Sequence, residues 1–420
     1  MATKSTTDHT ITHHHNPTVC IVGGGPAGMV LGYMFARQGI SVTVLEAQKD
    51  FDRDFRGDTI HASIMDNMEE LELADRLFQL PHHKMTQMFV GSTQGQRIPL
   101  VDFSRLKTNH PYVTVMAQTT FLDFFAKESA QYAHYELLMG ANAQELIQED
   151  GVIKGVRYRT ITGDRTWGEI RATLTIAADG RASRIRKAAG LEPIPLMDPL
   201  DVLWFRVPKI DNDPYKGGAG LATGQRLPIV VIEREDHWQL ALVIPHGTYR
   251  SLREAGIEAF QQTLSEDIPA FTERIYDHLD EWRKIAYLQV QGSRLKQWYQ
   301  DGLLFIGDAA HVMTPLGGVG INYAIQDAIV AANVLSHPLL QGSLTTAHLA
   351  EVQKQREWPT KVIQFVQAQG QRRLIQPSLR WDQPFELPAF AQLMPRIPIV
   401  RDLPGRLIGL GVRKVKVEVS

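Results

Sequence analysis

The first fifty residues restrict this chain to a nucleotide-binding α/β architecture. Thr18 to Val22 is a short apolar run that reads as a buried parallel strand, and it leads directly into Gly23-Gly24-Gly25-Pro26-Ala27-Gly28. An apolar-periodic helix follows from about Ala27 to Arg37. Gly39 stops it, and Ile40 to Leu45 alternates as a second strand ending at Glu46. In this strand–turn–helix–strand context Gly23 allows the tight turn, Gly25 lets backbone approach a pyrophosphate, and Gly28 lets the helix pack closely on the strand. Pro26 and Ala27 open the helix, where unpaired N–H groups and the positive dipole end favour phosphate. Glu46 lies 18 residues beyond Gly28, where a carboxylate accepts hydrogen bonds from a ribose diol and repels a 2′-phosphate. The unit fits FAD and NAD alike.

Composition narrows the class further. The length, 420 residues, allows two or three core-bearing units. Lys plus Arg number 44 against 46 Asp plus Glu, so no basic excess marks the chain for nucleic acid. Cys20 is the only cysteine, which excludes an internal disulfide and a cysteine zinc site. His13, His14 and His15 belong to a polar N-terminal stretch without the apolar core of a signal peptide, and they read as tail rather than as a metal site. No apolar run is long enough to span a membrane. The expected compartment is the cytoplasm, with no metal.

Beyond the first unit, Ile64, Met68, Leu71 and Leu77 are spaced for one helix face, and Met85 to Phe103 reads as hairpin strands. A helix is expected over Thr119 to Ala133. Strands follow from Tyr135 to Ala178, with turns at Glu149-Asp150-Gly151 and Thr162-Gly163-Asp164. Leu200 to Ile244 is again strand-rich, with helices at about Leu252 to Ala270. A strand over Leu303 to Ile306 meets Gly307-Asp308, and a long helix runs from about Gly320 to Leu335. The expected fold is α/β: a discontinuous Rossmann-like cofactor domain over 17–85, 110–190 and 285–345, interleaved with a β-sheet-rich substrate domain over 86–109 and 191–284. Residues 346–420 form a helical and Pro-rich C-terminal region, and 1–16 a disordered tail.

Two later segments separate FAD from NAD. Asp179-Gly180-Arg181-Ala182-Ser183-Arg184-Ile185-Arg186 fits D-G-x-x-S-x-x-R after an apolar strand. Gly307-Asp308-Ala309-Ala310-His311 follows another strand and continues through Pro315, Gly318, Gly320 and Asn322 to Asp327-Ala328. With these three motifs in this order, residues 18 to 345 resemble the group A flavoprotein monooxygenases, the p-hydroxybenzoate hydroxylase type. The resemblance implies FAD held by Gly23, Gly25, Pro26, Ala27, Gly28 and Glu46, by Asp179, and by Gly307, Asp308, Pro315, Gly318, Gly320, Ile321 and Asn322. Asp308 would take the ribityl chain. Arg56 and Gln118 fall where the family often places further FAD contacts. The implied activity is NAD(P)H-dependent hydroxylation of a small aromatic, phenolic or polycyclic substrate by molecular oxygen through a flavin C4a-hydroperoxide. A reductase or dehydrogenase of the same fold and a non-catalytic FAD-binding protein stay open as alternatives.

No second G-x-G-x-x-G supplies a nicotinamide domain, so an NADH or NADPH donor would visit transiently. Leu240 to Pro245 lacks both tryptophans of the halogenase W-x-W-x-I-P. Bare backbone N–H groups around Gly317, Gly318 and Gly320 suit the charge of reduced flavin, and Pro315 would shape the floor beside the reacting carbon. His61 is a candidate proton acceptor alongside Pro315 and Gly318, whereas His311 reads as a local cap or packing residue. Trp204, Arg206 and His237, in the strand-rich middle, are candidate substrate contacts. From Pro395 to Ser420 an excess of four positive charges is interleaved with aliphatic residues. That pattern fits a solvated face on a packed segment, or peripheral contact with an anionic membrane.

Overall fold

The computed structural model describes residues 12–13, 16–52, 58–92, 97–161, 166–211, 213, 218–223, 228–379, 397 and 401–418. The apolar strand Val19–Val22 is buried on both faces, as a central parallel strand must be. It pairs in parallel with Val42–Glu46 on one side and Leu174–Ala177 on the other. Tyr135–Met139 and Leu303–Phe305 extend the sheet, and Tyr299–Gln300 adds an antiparallel edge. Segments far apart in sequence therefore share one sheet, and the cofactor half is discontinuous.

Alternation along these strands builds two cores. Val19, Ile21, Val42, Val44, Leu174 and Ile176 point to a core shared with the helices Pro26–Arg37, Gln118–Ser129 and Gly320–Leu340. Cys20, Val22, Leu45, Ala177 and Phe305 point the other way, onto Ala143, Val156 and Ile170. Those three residues belong to the antiparallel strands Ala141–Glu149, Val152–Thr160 and Trp167–Arg171, which cover the second face. Thr12–His13, expected in a disordered tail, adds a short parallel strand to Gly168 and Glu169; an edge strand offers unpaired backbone groups to any extended neighbour. The turn at Asp150-Gly151 has positive φ at both residues, while the turn expected at Thr162-Gly163-Asp164 lies outside the described residues.

The second half is a twisted seven-stranded sheet. Its order is Ala286–Val290, Leu200–Pro208, His237–Pro245, Pro228–Glu233, Gly218–Thr223, Gln87–Ser92 and Arg97–Asp102. Leu203, Phe205, Val207, Trp238, Leu240 and Leu242 face a helical layer through Phe260, Leu264 and Ile275. Val202, Trp204, Val230, Ala241, Leu288 and Val290 cluster on the opposite face. The sheet thus presents one covered face and one face turned toward the cofactor half.

After Gly320–Leu340, the helix Thr346–Gly370 packs against it behind a capping box of Thr345 and His348. The basic C-terminal segment lies on the body. Lys414 pairs with Asp66 at 2.9 Å, Asn67 donates to the Val415 carbonyl, and Asn333 donates to that of Lys416. Leu407, Ile408 and Leu410 pack inward, and Gly405 and Gly409 of the helix Leu403–Gly409 lie against Asp102, Phe103 and Leu106. No helix among the described residues is long and apolar enough to cross a membrane.

Phe205 is fully buried and meets Phe260 edge to face at 6.2 Å. Phe205→Ala should cost about 3–5 kcal/mol by leaving a cavity under the seven-stranded sheet. Chemical denaturation followed by tryptophan fluorescence measures that loss.

Candidate functional site

Three loops meet at the C-terminal ends of the parallel strands, where ligands of open α/β sheets bind. The first is the glycine turn. A Cβ at Gly28 would lie 2.0 Å from the Gly23 carbonyl oxygen, and one at Gly23 would lie 2.3 Å from that of Ala178. Both positions exclude any side chain. A Cβ at Gly25 would meet nothing within 4 Å, so this turn of backbone faces open space. The first intrahelical bond runs from Met29 N–H to the Gly25 carbonyl, which leaves the amides of Ala27 and Gly28 without intrahelical acceptors. Pro26 has no amide to lose. At the end of the next strand the buried Glu46 accepts from Gly24 N–H and Gln48 N–H, both at 2.9 Å, and these bonds hold its carboxylate at the mouth of the turn.

The second loop is self-braced. Asp179 accepts from Ser183 Oγ at 2.6 Å and from Ile185 N–H at 3.1 Å, and Ser183 caps the short helix Arg184–Ala188 by accepting from Arg186 N–H. Burial pushes the Asp179 carboxyl above its usual range. Buried Arg186 then reaches the third loop, donating to the carbonyls of Ala309 at 2.9 Å, Asp308 at 3.5 Å and Arg181 at 2.7 Å. On the amide side, Gly307 N–H donates to Asp327 Oδ2 at 2.9 Å. The same oxygen lies 2.6 Å from His311 Nε2, and Arg356 Nε donates to Asp327 Oδ1 at 2.7 Å. His311 is therefore a brace within this network, as its place in the motif suggested. Asp308, half-buried, projects from a loop held on both sides.

The third loop continues to Pro315–Asn322. Gly317 and Gly318 have φ of +81° and +62°, and a Cβ at Gly318 would lie 2.5 Å from Thr59 Oγ1, so only glycine fits. Thr59 Oγ1 and Asn322 Nδ2 both donate to the Gly318 carbonyl, at 3.1 and 3.0 Å. Asn322 Nδ2 also donates to the Thr59 carbonyl, and Asn322 Oδ1 accepts from His61 N–H at 2.7 Å. The Asn322 side chain thus fixes the loop from within. The first intrahelical bond here is Tyr323 N–H to Val319, which leaves the amides of Gly320, Ile321 and Asn322 at a helix N-terminus. Pro315 is exposed, and its carbonyl accepts from Gly318 N–H.

His61 is 2 % exposed. Its Nδ1 lies 2.8 Å from the Ile408 carbonyl, which requires the Nδ1–H tautomer, and burial lowers its pKa to about 4. Its Nε2 lies 3.7 Å from where a Gly318 Cβ would stand. The ring therefore packs beneath the glycine loop, held by the C-terminal segment. Gln118 begins the helix Gln118–Ser129 and is half-buried. Arg56 lies outside the described residues.

The candidate substrate residues share one stripe of the seven-stranded sheet. Register pairs Trp204 with Ala241, Arg206 with Gln239, and Pro208 with His237. The Trp204 indole nitrogen is buried and has no hydrogen-bond partner among the described residues. Arg206 is exposed, and His237 Nδ1 lies 2.7 Å from Asp236. Sequence reasoning missed the neighbouring buried Arg234, which donates to Gln239 Oε1 and pairs with Asp58 at 2.5 Å. Asp58 precedes the strand Thr59–Ile60, so this pair joins the seven-stranded sheet to the strand that holds Gly318. No periodicity or motif marks such a pair. Among the described residues, Asp66, Glu69 and His110 are close enough to share a metal ion, but Lys414 and Glu69 already pair with Asp66 and His110.

Two outcomes test this geometry. Gly28→Val should abolish FAD binding, because the helix cannot approach the strand; flavin absorbance after purification reads this directly. His61 titrates near 6.5 in an unfolded chain but near 4 here. Its lowered pKa makes folding less favourable as pH falls from about 6.5 to about 4, by about 3 kcal/mol in all. Denaturation free energies at pH 7 and pH 5 should therefore differ by about 2 kcal/mol less in His61→Gln than in the unaltered protein.

The open backbone at Gly25, the carboxylate of Glu46 and the braced Gly307-Asp308 loop suit a dinucleotide carrying a pyrophosphate and ribose hydroxyls. The glycine-lined helix start at Gly320 suits a flavin ring edge. The family model for the FAD binding domain matches residues 16–365. The chain is 30% identical over 363 residues to 6-methylpretetramide 4-monooxygenase of Streptomyces rimosus, covering 85% of this chain and 84% of that one. It is 26% identical to pentachlorophenol 4-monooxygenase of Sphingobium chlorophenolicum over 74% of this chain and 56% of the other. Among solved structures, p-nitrophenol 4-monooxygenase PnpA from Pseudomonas putida DLL-E4 superposes with a TM-score of 0.74 at 18% identity, covering 95% of this chain and 99% of that one. The three braced loops and the family match lead to one assignment: the chain belongs to the FAD-binding-domain family and is an FAD-dependent monooxygenase of the group A aromatic hydroxylase type.

Proposed function

We propose that this enzyme hydroxylates a phenolic, polycyclic aromatic substrate with electrons from NADH or NADPH. FAD held by the Gly25 turn, Glu46 and the Gly307-Asp308 loop would take two electrons from the nicotinamide and activate molecular oxygen, one atom of which would pass to the ring while the other leaves as water. The observation that carries the reading is the composition of the sheet face turned toward the Gly318 loop. Its centre is apolar, with Val202, Trp204, Val230 and Ala241 clustered together. One residue pair along, it becomes polar at Arg206, Gln239 and Arg234. A fused-ring body would lie on the apolar part, with its phenolic or enolic oxygens toward the guanidinium groups. The buried indole N–H of Trp204, which has no partner among the described residues, would donate to a substrate oxygen, since a buried donor left unpaired is costly. The resemblance in sequence to an enzyme named for a 6-methylpretetramide substrate points to the same chemical class.

Within this reading the glycine loop carries the electrostatic part of the chemistry. Amides at the start of the Gly320 helix would face the flavin edge that gains negative charge on reduction. The packed residues around His61 and Ile408 keep water from beneath that loop, and a dry pocket favours oxygen transfer over release of peroxide. His61 has its Nδ1–H committed to the Ile408 carbonyl and its backbone N–H to Asn322, so within this reading it would hold the loop while its Nε2 stays an acceptor. The donor would enter from solvent without a domain of its own, and a cytoplasmic supply of NAD(P)H would serve it.

Turnover with either nicotinamide under 18O2, using a panel of phenolic polycycles, should place one labelled oxygen atom in the product. Turnover that continues without oxygen, with no label in any product, would sink the reading. Trp204→Phe keeps the ring stack and removes the N–H, so kcat/KM should fall about 10-fold with the holoenzyme flavin content unchanged.

A further inference from the structure

We propose that Arg356 is a positioning residue for FAD: it holds the Asp327 carboxylate that fixes the Gly307 amide, and through that carboxylate it sets the cofactor-facing loop Gly307–Ala309. Arg356 lies on the helix Thr346–Gly370, outside every motif, and its hydrogen bonds among the described residues go to Asp327 and the Tyr323 carbonyl rather than to that loop. It is 1 % exposed, and Asp327 is 0 % exposed. Its Nε donates to Asp327 Oδ1 at 2.7 Å, its Nη2 to the Tyr323 carbonyl at 3.5 Å, and its guanidinium lies 5.3 Å over the Tyr323 ring.

Asp327 divides its two oxygens, one toward Arg356 and one toward Gly307 N–H and His311 Nε2. The opposite side of the same loop is held by Arg186 through the carbonyls of Asp308 and Ala309. One buried arginine thus secures the loop's acceptors directly, and the other secures its donor through a carboxylate. Asp327 is wholly removed from solvent, where an unpaired carboxylate is strongly disfavoured. The groups that face it are Arg356, His311 and the Gly307 amide. With Arg356 gone, the carboxylate would take up a proton or turn toward water, and in either case Gly307 would lose its anchor. His311 reaches the carboxylate through Nε2 alone, on the oxygen that Gly307 also uses, and its ring lies tilted against Trp298 at 4.8 Å, so the Oδ1 side is left to Arg356.

The test uses the full-length protein, unaltered and as Arg356→Lys, Arg356→Met and the double variant Asp327→Asn with Arg356→Met. The readouts are the FAD dissociation constant by flavin fluorescence, the melting temperature of the apoprotein, and amide exchange of residues 303–312 in the apoprotein. None involves turnover, so they stand or fall apart from the hydroxylation reading. Arg356→Met should raise the dissociation constant at least 10-fold and speed exchange over 303–312, while exchange in the seven-stranded sheet stays unchanged. Arg356→Lys, which keeps the charge, should stay within about threefold. In the double variant the side-chain carbonyl introduced by Asp327→Asn still accepts from Gly307 and carries no charge to neutralise, so FAD affinity should recover toward that of the unaltered protein. An unchanged dissociation constant in Arg356→Met would overturn the proposal. So would a loss of FAD that merely tracks the unfolded fraction. Should Arg356→Met fail to fold, the double variant decides: a folded double variant with near-normal FAD affinity supports the assignment, and a folded one that cannot bind FAD refutes it.

Discussion

The carboxylate of Asp327, wholly removed from water, is the interaction around which the cofactor site is arranged. A buried charge persists only when it is paired and hydrogen-bonded, and this one is met by Arg356, His311 and the Gly307 amide. Five residues earlier on the same helix, Asn322 fastens Thr59, His61 and Gly318. The helix Gly320–Leu340 therefore aligns two loops at once, the Gly307-Asp308 loop through Asp327 and the glycine loop at its start. Arg186 adds the link to the second loop. Rigid elements hold a site more accurately than loops do, and here the loops inherit their rigidity from one helix and two buried arginines.

Two-faced sheets explain how the halves interleave. The parallel sheet sends alternate residues into a helical core and into a core under an antiparallel sheet. The seven-stranded sheet buries one face under helices and keeps the other for the region between the halves. The segment 401–418 lies beyond the residues that the family model matches, yet its Ile408 carbonyl holds His61 and its Ile408 side chain lies 3.6 Å from where a Gly317 Cβ would stand. The segment 401–418 thus supports His61 and the Gly317-Gly318 loop, and its aliphatic side chains are committed to that packing.

Much of this was legible in the sequence because the signals were local. Val19–Val22, the glycine turn and the helix to Arg37 announce themselves through a switch of hydrophobic period at a run of glycines, and the α/β fold with an inserted sheet follows from where the three motifs fall. His311 was also readable as a brace. Trp204 and Arg206 were legible as strand residues and as candidate substrate contacts, but their stripe with Gln239 was not, because alternation says which residues share a face and not what that face meets. Asp58 with Arg234 and Asp327 with Arg356 left no trace, since each pair joins segments whose separation carries no periodicity. His61 read as a proton acceptor from its residue type alone; the Ile408 carbonyl that commits its Nδ1–H comes from the far end of the chain.

What the sequence by itself determined is the cofactor class and the order of the elements, because glycine spacing and hydrophobic period are properties of neighbouring residues. Tertiary structure alone decided which charges are buried together, which face of the second sheet turns to the Gly317-Gly318 loop, and that the basic C-terminal segment packs against the body. Burial and electrostatic pairing depend on distances in space between residues hundreds apart in sequence, and no local pattern records them.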